Sequence, residues 1–332
     1  MKLEFILSQR VSDVYNSLFH YTSWDGLKGI LENNTLWATN IRYLNDDSEY
    51  YLIKELLVAQ LKPEIERELR QKAQDNAKIK RSINEAGGLK FTVERLTDVF
   101  VRSMYEASGT EFYVSSFCKE PNNQYETTNG LLSQWRGYGK TVGFAIELDT
   151  SEMESLFLKE SESFEYTHAL ISDVIYSHEK RKFRTELKSQ IDSIIKFQID
   201  TLLHLFERQN KPDEEQAWSA FHYCATRYKH RGFHEENEVR IVMAPNLLSS
   251  EDTEAAKDRG QTVKQEKPIK DRLKENGVPT PHIELFGKDF GCLPIKRIIV
   301  GPGRNKMQAA DTLKKRVRGK NIEISVSDIP FV

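Results

Sequence analysis

Very little in this chain runs to an extreme, and each shortage excludes something. Lys and Arg number 48 against 50 Asp and Glu, a formal net charge of −2. No global field therefore draws it to nucleic acid, although a local basic groove is compatible with that balance. Only three cysteines, Cys118, Cys224 and Cys292, occur in 332 residues, far apart and without a CxxC pair. That scarcity argues against a disulfide scaffold and for a reduced, cytoplasmic protein. The opening MKLEFILSQR turns polar too soon for a signal peptide, and no apolar run approaches the roughly 18 residues of a membrane span, so no membrane partner is expected. Internal repeats and low-complexity blocks are missing as well.

Familiar catalytic signatures are equally scarce. There is no HExxH, GxSxG or Walker sequence. His222, Cys224, His230 and His234 crowd one segment, but Gly232 falls between the last two histidines and ends the helix they would share. Scattered histidines explain the segment better than a metal site, and no metal is expected. GPGR at 301–304 has the outline of a phosphate loop without its completing residues; a tight turn accounts for it more simply.

What is present is a mixture of periods. FHYTSWDGLKGILENNTLWATN, from Phe19, reads as a strand end, a helix over about 24–33 and a strand, then a turn at Asn45-Asp46-Asp47. Residues 48–107 and 179–232 carry apolar residues at helical spacing and form two large helical insertions. EFYVSSFCKE, TVGFAIELD, NEVRIVMAP, PHIELF, CLPIKRIIV and IEISVS read as strands. The polar stretch 249–280, with Pro268 and Pro279, reads as a surface insertion. Strands scattered among helices predict an α+β fold, and no linker divides 1–332 into independent domains.

Three stretches raise questions of chemistry. HYT at 20–22 places polar groups where a plain apolar entry into a helix is expected, so these residues either cap and pack or hold a ligand. SQWRGYG concentrates Trp135, Arg136 and Tyr138: a guanidinium for phosphate and rings for stacking, or a packed surface loop. In EENEVRIV, Glu236 and Glu238 flank one residue. At the start of a strand, with period two, both carboxylates share a face within reach of one ligand. The plainer alternative is a pair of solvated acids, or one that pairs with Arg240.

In order, HYTS, RYLNDDSE, VSSF, SQWRGYG, VGFAIELD and ENEVRIV resemble a large, mostly uncharacterised bacterial domain family. The opening is also similar to the ADP-ribosyltransferase superfamily, including DarT-like toxins. The resemblance implies an ADP-ribosyltransferase-like mixed or antiparallel sheet core interrupted by the helical insertions. It implies an NAD-dependent ADP-ribosyltransferase, a toxin or antiphage-defence effector, with NAD as substrate. The acceptor would be nucleic acid (RNA or DNA) or protein, and a cognate antitoxin or defence-system partner would accompany it. Within that resemblance His20 holds the adenosine ribose with Tyr21 and Thr22 beside it. Ser115 or Ser116 supplies the middle motif, Glu238 is catalytic, and Glu236 orients the acceptor. Arg136 is a candidate for the pyrophosphate; Tyr21, Tyr43, Trp135 and Tyr138 are candidates for stacking on a ring. Here the middle motif is VSSF rather than a clear Ser-Thr-Ser. The alternative reading is a non-catalytic interaction module that senses a nucleotide or a phage component.

Overall fold

The computed structural model describes residues 10–44, 49–106, 111–138, 142–207, 214–246, 264–273 and 277–330. The chain is mixed α/β and divides into two compact units. One comprises the residues up to Leu44, Glu111–Val174 and everything from Gly232 on; the other comprises the two stretches between.

The first unit holds a ten-stranded, mixed, open sheet. Its strands are β1 (Ser17–Thr22), β2 (Thr35–Asn40), β3 (Tyr113–Lys119), β4 (Phe144–Asp149) and β5 (Tyr166–Asp173). The remaining five are β6 (Glu238–Pro245), β7 (Ile269–Leu273), β8 (Pro279–Phe286), β9 (Ile295–Val300) and β10 (Glu323–Val326). One path through the sheet runs β10-β9-β4-β1-β3-β2-β8-β7, and β6 and β5 extend it from β3. Among the described strands of this sheet, only β9 and β10 pair in parallel.

Alternation along the strands buries both faces. Leu18, Phe117, Ile146, Val239 and Ile298 share one face with Leu27, Met153, Phe157 and Leu313 from the helices Trp24–Asn33, Thr150–Ser163 and Lys306–Arg316. Phe19, Tyr21, Cys118, Ala145 and Ile299 form a smaller core on the opposite face with Leu131 and Trp135, contributed by the connection that carries the helix Leu132–Tyr138. Burial on two faces explains why the central strands read as nearly continuous apolar runs.

β3 is the hub, and the pattern around it makes a fork. One edge pairs with β6 along its length, from Tyr113 opposite Met243 to Cys118 opposite Glu238. The other edge is shared: β1 pairs only at Lys119 and Cys118, and β2 only at Val114 and Tyr113. Between them neither strand pairs with Ser115, Ser116 or Phe117.

The second unit is mostly helical, with helices Glu49–Asp75, Ala77–Glu85, Leu89–Glu106, Lys188–Glu207 and Glu214–Arg227. These fill the two stretches whose apolar spacing is helical. Gly87 and Gly88, both at positive φ, separate two of the helices. A two-residue parallel pair, Ile175–Tyr176 with Tyr228–Lys229, lies at its margin.

One sequence expectation changes. The stretch read as a polar surface insertion contains β7, paired antiparallel with β8 from Pro279 opposite Leu273 to Ile283 opposite Ile269. An exposed edge strand needs no apolar alternation, so IKDRL carries no strand signal. Much of the rest of that insertion, and the turn at Asn45-Asp46-Asp47, lie outside the described residues.

Candidate functional site

The HYTS segment separates residue by residue into packing and something else. Ser23 is the N-cap of the helix Trp24–Asn33, its side chain accepting from the Gly26 N–H. Thr22 is buried against Gly26, where a Cβ would lie 2.1 Å from the Thr22 Oγ1. Tyr21 is buried too: its hydroxyl accepts from the Leu131 N–H at 2.8 Å and its ring meets Trp135 edge-on at 4.8 Å. Burial pushes the Tyr21 hydroxyl far above the ordinary phenol range. These three residues cap and pack.

His20 does neither. It is half-buried where β1 leaves β3, with Nδ1 3.0 Å from the Ser116 carbonyl oxygen and its ring 5.5 Å from that of Phe117. The imidazole thus takes a backbone acceptor that a strand would satisfy elsewhere in the sheet. Desolvation lowers its pKa, outweighing the carbonyl that favours the charged form. A neutral ring that donates from Nδ1 keeps Nε2 as an acceptor.

The middle residues split between faces. Ser116 is exposed, whereas Ser115 is buried and its hydroxyl has no hydrogen-bond partner. An unpaired buried hydroxyl costs about 1–3 kcal/mol, which marks the fork as strained in polar terms.

The paired acids differ from the sequence expectation. Glu236 ends a 3-10 turn, Arg231–Glu236, and Asn237 has φ +44, so β6 begins only at Glu238. Strand alternation therefore does not extend to Glu236, and the shared face expected for the two carboxylates is not formed. Glu238 is buried and held by Arg240, two residues along the same strand. Alternation also sets Glu238 on the face of Phe19 and Cys118, while His20 lies on the face of Leu18 and Phe117. The structure makes His20 and Glu238 close in the order of strands but opposite in facing. Glu236 is half-buried.

Of the SQWRGYG residues, Trp135 packs. Trp135 is buried, donates from Nε1 to the Asn129 carbonyl at 2.9 Å, and stands under Gly130 and Gly301. A Cβ on Gly301 would meet the indole at 2.7 Å, which gives the GPGR glycine a packing role. Arg136 is exposed, and Tyr138 has its side chain outside the described part. Tyr43 is half-buried in the 3-10 turn Ile41–Tyr43. Neither Tyr21 nor Trp135 is available as a stacking platform.

Arg240, which the plainer reading of ENEVRIV offered as a partner, holds Glu238 with two hydrogen bonds. Among the described residues no group of three or more His, Cys, Asp or Glu is placed to hold a metal ion. No described helix is long and apolar enough to cross a membrane.

With this geometry in place, comparison with known proteins adds one similarity. A family described as "Protein of unknown function (DUF2971)" matches residues 134–241, from SQWRGYG to the middle of β6. No curated protein and no solved structure matches the chain.

Proposed function

We propose that the chain is an NAD-dependent ADP-ribosyltransferase with an ADP-ribosyltransferase-like core, a toxin or antiphage-defence effector acting in the cytoplasm. One observation carries this reading. The strands that bear the three expected motifs are consecutive neighbours, β1-β3-β6, and His20 reaches from the first to the backbone of the second across the fork.

In such a reaction the bond between ribose C1 and the nicotinamide nitrogen breaks. Its electron pair neutralises the pyridinium, and positive charge develops on the sugar. An acceptor oxygen or nitrogen then bonds to C1 and releases its proton to a base. The chain has two tasks: to hold the adenosine ribose and to place a carboxylate beside the developing charge. His20 suits the first, because its Nε2 accepts from a ribose hydroxyl while Nδ1 is anchored to Ser116. We assign the second to Glu236, because both oxygens of Glu238 are engaged by Arg240 and releasing them would break a buried ion pair. Glu238 acts as a positioning residue that fixes the head of β6, directly after Glu236.

The test is incubation with labelled NAD and total cellular RNA, DNA and protein, with nicotinamide release followed in parallel. The proposal expects label transfer that is lost in Glu236→Gln and needs more NAD in His20→Ala. A folded protein that neither consumes NAD nor transfers label overturns it.

A second reading is favoured by the same ion pair. If the carboxylate that matters is Glu238, its engagement by Arg240 describes a module that binds a nucleotide or phage component without turnover. NAD binding by calorimetry with no product, unchanged in Glu236→Gln, would select this reading.

A further inference from the structure

The helical unit carries a second feature that the transfer chemistry does not use. Its chain enters through SHEKRKFR, residues 177–184, where four of the last five side chains are cationic. Helix runs from Lys180 to Lys182, widens into a π turn at Phe183–Leu187, and continues as Lys188–Glu207. Wide turns of this kind recur at functional sites because they displace side chains from the regular helical surface.

Beside this turn opens a pocket of about 490 Å³, counting its open mouth, lined by Leu56, Ser177, Lys180, Phe183, Arg184 and Tyr228. Lys180 and Arg184 are exposed at its rim, as is Arg181 beside them. Among the described residues no carboxylate pairs with any of the three. Glu179 pairs instead with Lys182 and accepts from the Tyr176 N–H, and Glu186 pairs with Arg227. Phe183 and Tyr228 meet edge-on, 6.2 Å between centroids, and both are half-buried.

The lining therefore offers two ring systems and two uncompensated cations around one concavity. Phosphate suits the cations, and a planar base suits the rings; together they describe a nucleotide unit. A second phosphate, one nucleotide along, would meet Arg181. A membrane surface fits less well, because the two rings line a pocket.

We propose that the pocket formed by Lys180, Phe183, Arg184 and Tyr228 binds single-stranded nucleic acid. This deepens the proposed function by naming its acceptor, and it rests on that reading only for the transfer step. The binding itself is measured without NAD, so failure of one leaves the other standing.

The experiment is fluorescence anisotropy of the full chain with labelled single-stranded RNA and DNA oligonucleotides over a range of salt. The double variant Lys180→Glu/Arg184→Glu changes exposed side chains and should leave the melting temperature unaltered. Affinity should fall at least tenfold, and the slope of log affinity against log salt should shrink by about 1.4, or about 0.7 per lost phosphate contact. Lys314→Glu/Lys315→Glu, an equal charge change on exposed residues elsewhere, should bind like the parent. Phe183→Leu, which keeps the apolar volume and removes the ring, should weaken binding about tenfold with a nearly unchanged salt slope. Absence of oligonucleotide binding by the parent protein overturns the proposal. So does equal binding by the Lys180→Glu/Arg184→Glu variant, or equal loss in the Lys314→Glu/Lys315→Glu control. Binding of ADP as tight as that of the oligonucleotide, or binding only to vesicles of anionic lipid, also overturns it.

Discussion

Arg240 grips Glu238 with both arms of its guanidinium: Nε donates to Oε1 at 2.6 Å and Nη2 to Oε2 at 3.0 Å. The side chains are 2% and 4% exposed. Two residues apart on one strand, they share a face, and little water reaches either. Such a pair contributes little net stability when intact, because desolvation offsets attraction. Breaking it from one side is costly. Arg240→Met should destabilise the protein by about 3–5 kcal/mol, and Glu238→Leu by a similar amount, since each removes one partner of a buried ion pair. The double variant Arg240→Met/Glu238→Leu should recover most of the loss in urea titrations. Additive losses would mean that the two charges do not depend on each other.

The same consideration governs any kinetic use of Glu238. Glu238→Gln keeps the shape of the side chain but removes the charge that Arg240 faces, so its melting temperature should fall along with its turnover. Glu236→Gln, at a half-buried position, should leave the melting temperature in place while turnover falls at least about 100-fold, the scale for loss of one electrostatic stabiliser. Thermal melts and nicotinamide release from the same preparations separate the two cases.

A second buried ion pair ties the segment before β7 to the main core. Glu160 is 0% exposed, accepts from Lys267 Nζ and from the Tyr166 hydroxyl on one oxygen, and from the Phe286 N–H at 3.0 Å on the other. Lys267 also lies over the Phe164 ring, 4.0 Å from its centroid. Lys267→Met should cost about 3–5 kcal/mol by leaving Glu160 without its cation. Limited proteolysis should then cut between residues 264 and 273 faster than in the parent, while β1, β3 and β4 stay protected.

His168 on β5 gives the stability a pH dependence. Burial pushes its imidazole down to about 4, so between pH 6.5 and 4 the unfolded chain binds a proton that the folded one does not. Stability is therefore full above about pH 6.5 and falls with decreasing pH, by up to about 1.4 kcal/mol per unit from this residue. Urea titrations at pH 7, 6 and 5 should show a shallower slope for His168→Leu. Parallel slopes would contradict the assignment.

How much of this was legible in the sequence varied with how local its cause was. GFAIELD announced β4 through its own alternation, and the helical stretches announced themselves through apolar spacing. The head of β6 did not, because one residue, Asn237 at positive φ, ends the alternation that ENEVR suggests. Trp135 and Gly301 lie far apart in the chain, and their contact turns an exposed-looking aromatic and a phosphate-loop glycine into one packing unit. Tyr21 read as a ligand-holding ring because its partner, the Leu131 N–H, arrives from more than a hundred residues away. His20 reads in the sequence as a polar residue before a helix; that it spans a fork depends on where β1 and β2 leave β3, which no local pattern encodes.

The most direct measurement of the central claim is transfer of label from NAD by the parent protein, His20→Ala and Glu236→Gln, all shown to melt at the same temperature. The account expects label on a cellular acceptor with the parent, a raised NAD requirement with His20→Ala, and loss of transfer with Glu236→Gln at saturating NAD. Equal transfer by all three, or NAD left intact by a folded parent protein, would contradict it.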